Sequence, residues 1–449
     1  MKLAAMLLVV LAAVSPAWPA QGQAQAAAKA QPIAPGEWID AKTGHRVIRI
    51  STAPGASSLY FHQQSFTPQG DKMVASTSEG IAAIDLKTWK MTTIVRGTGL
   101  QLLFAGRKTR TVYYIAGGTR GAARGSTTTP AQIWAADIDT GKAHRIADIP
   151  AGGIATINAD ETLLAGAVAE RDMPLQPGTV ARDPRFDQSG YAATGPDGKQ
   201  LTFAEAKEVR LNDRLEARIP MEIFTIDIRT GERKIVHRAT DWLNHLQFSP
   251  TDPTLLMFCH EGPWHKVDRI WTIRTDGSGL TQVHHRTMNM EIAGHEFWSP
   301  DGKTIWYDLQ TPRGEVFWVA GYDLGTEKRR WYKVERNQWS VHFNISPDQT
   351  MFSGDGGDSE MVAHAPDGKW LYLFRPKSIP DVAGIHAPGS ESLISPGTFD
   401  GERLVDMAKH DYRLEPNIHF TPDGKWMVFR SNMEGTSGIY AVEIARAKP

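Results

Sequence analysis

Apolar and polar positions recur along this chain in one repeated phrase. It runs through an aromatic or aliphatic residue, a tight turn holding Pro, Asp or Gly, and a second apolar run. It appears as "FTPQGDKMVAST" from Phe66, "FSPTDPTLLMF" from Phe248, "WSPDGKTIWYD" from Trp298, "ISPDQTMFSGD" from Ile345 and "FTPDGKWMVFRS" from Phe420. Weaker copies lie near Phe104 and at Ile157. Each reads as a strand end, a turn and a second strand. A hairpin phrase follows most copies, as in "IWAADIDTGKAHRIADI" and "IFTIDIRTGERKIVHRA". Four strands per unit at this spacing predict an all-β fold, a seven-bladed β-propeller.

One stretch breaks the repeat. Residues 169–217 fall between the second and third strands of the third blade, and their second half, "TFAEAKEVRLNDRLEA", is rich in helix formers. A long, partly helical insertion is expected there, of the kind that often serves as a lid.

The repeat also sorts residues by face. In each unit the first strand runs into the Ser-Pro-Asp-Gly turn, so the strand's start and the loop after the second strand share the opposite face. Three positions before the last residue of each first strand stand Gln63, Gln101, Ile154, His245, His295, His342 and Asn417. Simple alternation sends this position and the one two residues later, occupied by Gln247, Phe297, Asn344 and His419 among others, in the same direction. Only fifteen His occur in the chain, and three share one slot in consecutive blades. That predicts a site, and imidazole is the commonest protein metal ligand. Loops on the same face add His260, Glu261 and Trp264, Asp308 and Arg313, Asp355, and Arg430 with Asn432, while the insertion brings Arg214 and Arg218. The result is a polar pocket of mixed charge whose arginines suit carboxylates.

Composition narrows the setting. With 49 basic and 50 acidic residues, nothing in the charge balance points to nucleic acid. Lys2, an apolar run over residues 3–14 and small residues up to Ala24 read as a cleaved signal peptide, with 25–37 a flexible leader and 38–449 one propeller domain. The apolar run is too short for a permanent membrane anchor, so an exported protein, periplasmic or secreted, is expected. Cys259 is the only cysteine, which excludes a disulfide framework and a cysteine-rich zinc site. No G-x-S-x-G elbow, no conspicuous carboxylate pair and no Gly-rich phosphate loop appears. A metal held by His, a further His and an Arg suit proton abstraction beside a carboxylate.

The stretches "SSLYFHQQSFTPQGDKM", "FCHEGPW", "GHEFWSPDGKTIWYD", "WSVHFNISPD" and "HDYRLEPNIHFTPDGKWMVFRSNM" together resemble the oligogalacturonate lyases, from about Trp38 to the C-terminus. The resemblance implies a seven-bladed propeller that cleaves uronic-acid oligosaccharides by β-elimination with a manganese-type divalent metal. It implies His245 as general base and Arg218 as the catalytic arginine. His295 and His342 become metal ligands, joined by Gln338 and Asn344. Gln63, His260, Glu261, Trp264 and Arg430 are the expected substrate contacts. The family spacing Q-x-x-H-x-H is altered here: Gln338 is one residue out of register and Asn344 replaces the last His. Export is a second departure, since familiar members are cytoplasmic. The alternative is a non-catalytic propeller that binds a protein or sugar, like that of the TolB translocation protein.

Overall fold

The alternation read from the sequence becomes antiparallel sheets. A computed structural model describes residues 36–118, 123–124, 129–149, 151–171, 197–199, 201, 203–263, 266–358, 365–380 and 388–447. The signal peptide, the leader, Trp264 and much of the insertion lie outside them.

The described chain is mostly β and propeller-like. Sheets follow one another in chain order, each pairing its strands as consecutive hairpins. Gln101–Ala105, Thr111–Ala116, Ala131–Asp137 and Ala143–Ile149 form one such sheet. Gly153–Ile157, Leu163–Ala169, Met221–Asp227 and Arg233–Ala239 form the next. Trp242–Phe248, Leu255–Glu261, Ile270–Arg274 and Thr281–Gln282 form a third. An eight-stranded sheet then joins two such units through parallel pairing of Arg330–Lys333 with Ser395–Thr398. Its first unit begins at Ile292–Trp298, and its second at the short strand Phe343–Ile345. The N-terminal strand His45–Ser51 pairs with the C-terminal strand Gly438–Arg446, so both chain ends share one sheet. Within the insertion, the helix Phe203–Ala217 stands between Leu163–Ala169 and Met221–Asp227.

The strand interiors explain why these segments pair. Residues such as Val47, Leu256, Ile305, Leu371 and Val428 are fully buried between neighbouring sheets. Burial of each such side chain contributes about 1.5–3 kcal/mol. Against the His342 ring, 4.7 Å from that of Phe61, the residues Phe61, Phe297, Phe317, Phe343, Trp339 and Phe374 form one aromatic cluster. It gives the site a rigid floor.

The innermost strands depart from simple alternation. Pairing slips between Leu102 and Phe104, between Ile154 and Thr156, between Asn244 and Gln247, and between Gly294 and Phe297. These are β-bulges at nearly the same place in four sheets. His245 and His295 sit in the last two with φ of 49° and 45°, and Asn417 has φ 49° in the equivalent slot. The bulge breaks the period of two. The expectation that the slot and the position two residues later face the same way is therefore corrected. Gln247, Phe297, Asn344 and His419 line a cavity of about 440 Å³ whose rim is built by the turn prolines Pro68, Pro250, Pro300, Pro347 and Pro422. His245, His295 and His342 are not among its lining residues.

Candidate active site

His295 and His342 meet, their rings 4.7 Å apart and nearly perpendicular. Each is held from behind by a carboxylate that follows on the second strand. His295 Nδ1 donates to Asp308 Oδ1 at 3.0 Å. His342 Nδ1 donates to Asp355 Oδ2 at 2.7 Å, and the His342 backbone N–H donates to Asp355 Oδ1 at 2.8 Å. Protonation at Nδ1 leaves the Nε2 lone pair of each ring for another partner. For His342 that partner is the Tyr60 hydroxyl, which donates at 3.1 Å. Glu415 follows, with Oε2 3.9 Å from His342 Nε2. Burial disfavours charge on Glu415, but His342, Arg430, His295 and Lys207 hold its carboxyl below the ordinary value. Burial likewise opposes charge on His342, yet Asp355 and Glu415 outweigh it and raise its pKa.

Asp355 owes its place to the residues around it. The Tyr412 hydroxyl donates to the Asp355 carbonyl at 2.8 Å. The next residue, Gly356, has φ 72°, and a Cβ there would stand 2.4 Å from the Trp370 carbonyl and 2.6 Å from the Tyr412 hydroxyl. Gly356→Ala is expected to cost at least about 1–2 kcal/mol from its left-handed backbone alone. A thermal melt would show this as a lowered midpoint, and an unchanged midpoint would contradict the packing described.

His245 stands on the neighbouring strand. Its Nε2 lies 3.7 Å from Glu261 Oε2, and its ring 6.2 Å from that of Tyr60. Burial lowers its pKa, partly offset by Glu261 and Glu296, so the ring is neutral near pH 7. Glu261 also accepts a hydrogen bond from Asn244 Nδ2 at 2.6 Å. Burial works to raise its pKa, but His245, Arg269 and Lys207 bring it down to about 2. Arg269, also buried, feels the same contest: burial opposes its charge, while Glu261, Glu296 and Asp308 sustain it. Burial pushes the Cys259 thiol well above its ordinary value, so this lone cysteine is no nucleophile.

The other expected site residues divide. Glu261 joins the histidines, and Arg430 stands beside them, donating from Nε to the Glu415 carbonyl at 2.7 Å. Arg218 sits further out. Its side chain is 62% exposed and is bound to Asp241 at 3.1 Å. Asp241 also lies 3.4 Å from His260 Nδ1, and His260 stacks on Trp271. These residues form an outer rim. Gln63 accepts from the Tyr60 backbone N–H and lines the turn-side cavity, away from the three histidines.

Two expected metal donors are not gathered with the histidines. Gln338 lies against Gly401, beside Arg375, Glu402 and Arg403 on outer strands. It ends the 3-10 turn Arg336–Gln338, which carries it outward before the chain reaches His342. Asn344 uses Nδ2 on the Phe61 carbonyl at 2.7 Å, while its Oδ1 accepts from the Ile345 N–H at 2.8 Å. Its amide therefore ties strands together on the turn side. Tyr60, Glu415, Arg269 and Lys207 were not found from the sequence. Glu415 was within reach, since it stands two residues before Asn417 in the repeated slot. Tyr60 lies outside every repeat phrase.

A sequence profile described as oligogalacturonate lyase matches residues 217–447, just over half the chain. The chain belongs to the oligogalacturonate lyase family. It is a lyase, and the non-catalytic alternative is set aside. It is 24% identical over 425 residues to an oligogalacturonate lyase of Dickeya dadantii, covering 90% of this chain and 95% of that protein. It is 25% identical over 422 residues to an oligogalacturonide lyase of Pectobacterium atrosepticum, with the same coverage. Among solved structures, an oligogalacturonate lyase in complex with manganese superposes with a TM-score of 0.68 at 22% identity, covering 93% of this chain and 99% of that one. An oligogalacturonate lyase of Vibrio parahaemolyticus gives the same TM-score at 20% identity and the same coverage. These two likenesses show the fold.

Proposed function

We propose that this protein is a metal-dependent lyase that cleaves oligogalacturonides or related uronic-acid oligosaccharides by β-elimination. The observation that carries the reading is the pair His295 and His342, each with Nδ1 anchored on a carboxylate and with their rings 4.7 Å apart. Carboxylates placed behind imidazoles in this way are the usual second layer of a metal site, with the imidazoles as its ligands. Among the described residues no three His, Cys, Asp or Glu side chains already converge as a metal cage. The donor set nonetheless fits a divalent ion: two imidazole nitrogens, with the Glu415 carboxylate 3.9 Å from His342 Nε2. We assign the ion to His295, His342 and Glu415, in place of a set containing Gln338 and Asn344. The relative solved with manganese supports that metal as the first to try. We further read the sheets as seven blades, with the eight-stranded sheet counted as two.

In the reaction, His245 removes the proton on C5 of the uronate ring, beside the carboxylate. The C5–H electrons form the C4–C5 double bond as the C4–O bond breaks, and the departing sugar oxygen takes up a proton. A bound divalent ion supplies a Lewis acid that stabilises the charge growing on the carboxylate. His245 suits its role because burial keeps it neutral and Glu261 stands 3.7 Å from Nε2 to stabilise the imidazolium that forms. Tyr60 fixes the His342 ring by its hydrogen bond at 3.1 Å, and Asn244 fixes Glu261 at 2.6 Å. We also place the enzyme outside the cytoplasm, which Lys2, the apolar run 3–14 and the small residues up to Ala24 support.

The test is the ultraviolet absorbance of the unsaturated product from digalacturonate and trigalacturonate. Chelation is expected to lower the rate at least about 100-fold, and added manganese to restore it. Absence of product from any uronide, with the protein folded and metal supplied, removes this function.

A further inference from the structure

The helix Phe203–Ala217 turns a basic face towards the histidine site. Lys207, Arg210 and Arg214 are spaced three and four apart, so they share one side of the helix. That side is positioned by aromatic contact. The Arg214 guanidinium lies 4.5 Å from the centre of the Trp242 ring, and that of Arg210 5.7 Å. Trp242 opens the strand Trp242–Phe248 that carries His245. The helix is also tethered at two successive sheets. Glu208 pairs with Arg313 at 3.0 Å, and Lys266 reaches Asn212 at 2.5 Å and Glu216 at 3.2 Å. It therefore bridges the mouth instead of projecting from it.

Lys207 occupies the special position on that face. It is exposed and lies one turn before Arg210 on the face packed on Trp242, the residue paired across the sheet with Glu261, and its charge acts on both Glu261, beside His245, and Glu415, beside His342. It thus stands over the gap between the proposed base and the proposed metal ligands. Arg214 stands further back, with its charge also acting towards Glu261 and its Nη2 against Met221. Without ligand, Lys207 faces two carboxylates at a distance and makes no short ion pair among the described residues. An entering uronate brings a carboxylate into that gap.

We propose that Lys207 is a specificity-determining residue: its ammonium binds a uronate carboxylate over the mouth, so that the inserted helix selects acidic sugars over neutral ones. The assignment rests on the lyase reading above. An ammonium-to-carboxylate contact of this kind is charge-assisted, and its loss weakens binding without removing the base or the metal donors. The side chain is exposed, so its replacement leaves the core of the helix, Ala206 and Leu211, untouched.

The experiment compares wild type with Lys207→Met and Lys207→Arg. Lys207→Met is expected to raise KM for trigalacturonate about 10-fold to 100-fold with kcat little changed, and Lys207→Arg to recover most of it. Calorimetric binding of digalacturonate to each protein, made inactive by adding His245→Asn, should show the same loss in Kd. An unchanged Kd and KM in Lys207→Met overturns the proposal. So does a fall in kcat at constant KM, which would mark a role in the chemical step. If wild type cleaves no uronide, the lyase reading fails by itself. Digalacturonate binding then still decides this inference, with equal Kd for wild type and Lys207→Met refuting it.

Discussion

His245→Asn is expected to lower kcat on oligogalacturonides by about 1000-fold while leaving digalacturonate binding within a few-fold of wild type. Asparagine is the suitable replacement for a backbone reason. His245 has φ 49°, a left-handed conformation that costs an ordinary side chain about 1–2 kcal/mol and is best tolerated by Gly, Asn and Asp. The protein already uses Asn417 at φ 49° in the equivalent slot of its last sheet. The variant should therefore fold, removing only the imidazole. Wild-type pH dependence gives a second readout. A general base must be neutral, and burial, ahead of the opposing pull of Glu261 and Glu296, puts the folded pKa of His245 below 6.5. Activity should thus hold from neutral pH down to about 6.5 and fall only as pH drops through the lower folded value. Rates from stopped-flow absorbance across pH check this. A His245→Asn enzyme with near-normal kcat would remove His245 from its role.

Asp355→Asn is expected to weaken metal binding about 10-fold to 100-fold and to lower thermal stability. Asp355 accepts two hydrogen bonds from His342, from the ring at 2.7 Å and the backbone at 2.8 Å, with both residues fully buried. An asparagine has one oxygen for those two donors. If the oxygen keeps the backbone N–H, the amide nitrogen faces Nδ1 and drives the ring proton to Nε2. The Nε2 lone pair, which accepts from Tyr60 and lies 3.9 Å from Glu415, is then lost. If the oxygen instead keeps the ring, a buried backbone donor is orphaned at a cost of about 1–3 kcal/mol. Either outcome damages the site. Manganese titration by calorimetry and a thermal melt measure the two effects together. Wild-type affinity and midpoint in Asp355→Asn would show that His342 does not depend on this carboxylate.

The repeat made much of this legible. "WSPDGK", "FTPDGK" and their copies carry turn chemistry that acts within a few residues, so the strands and hairpins followed from local pattern alone. The three histidines emerged for the same reason, because equal steps from equal turns place residues in equal slots. The structure does not gather Gln338 and Asn344 with the histidines, for reasons that no single strand contains. Gln338 is carried to Gly401 by a 3-10 turn, and Asn344 is taken by the Phe61 carbonyl of a segment 283 residues away.

Taken alone, the chain determined an all-β repeat, an inserted helix and a shared slot holding His245, His295 and His342. These depend on turn residues, strand periodicity and helix propensity, which are written locally. The tertiary structure decided which atoms face the site. Bulges at His245 and His295 overrode the two-residue alternation, Asp308 and Asp355 chose the proton position on their histidines, and the Glu208–Arg313 pair tied the inserted helix to the loop after the strand Thr304–Gln310. Those outcomes depend on contacts between residues distant in the chain, and only the packed fold brings such groups within hydrogen-bonding range.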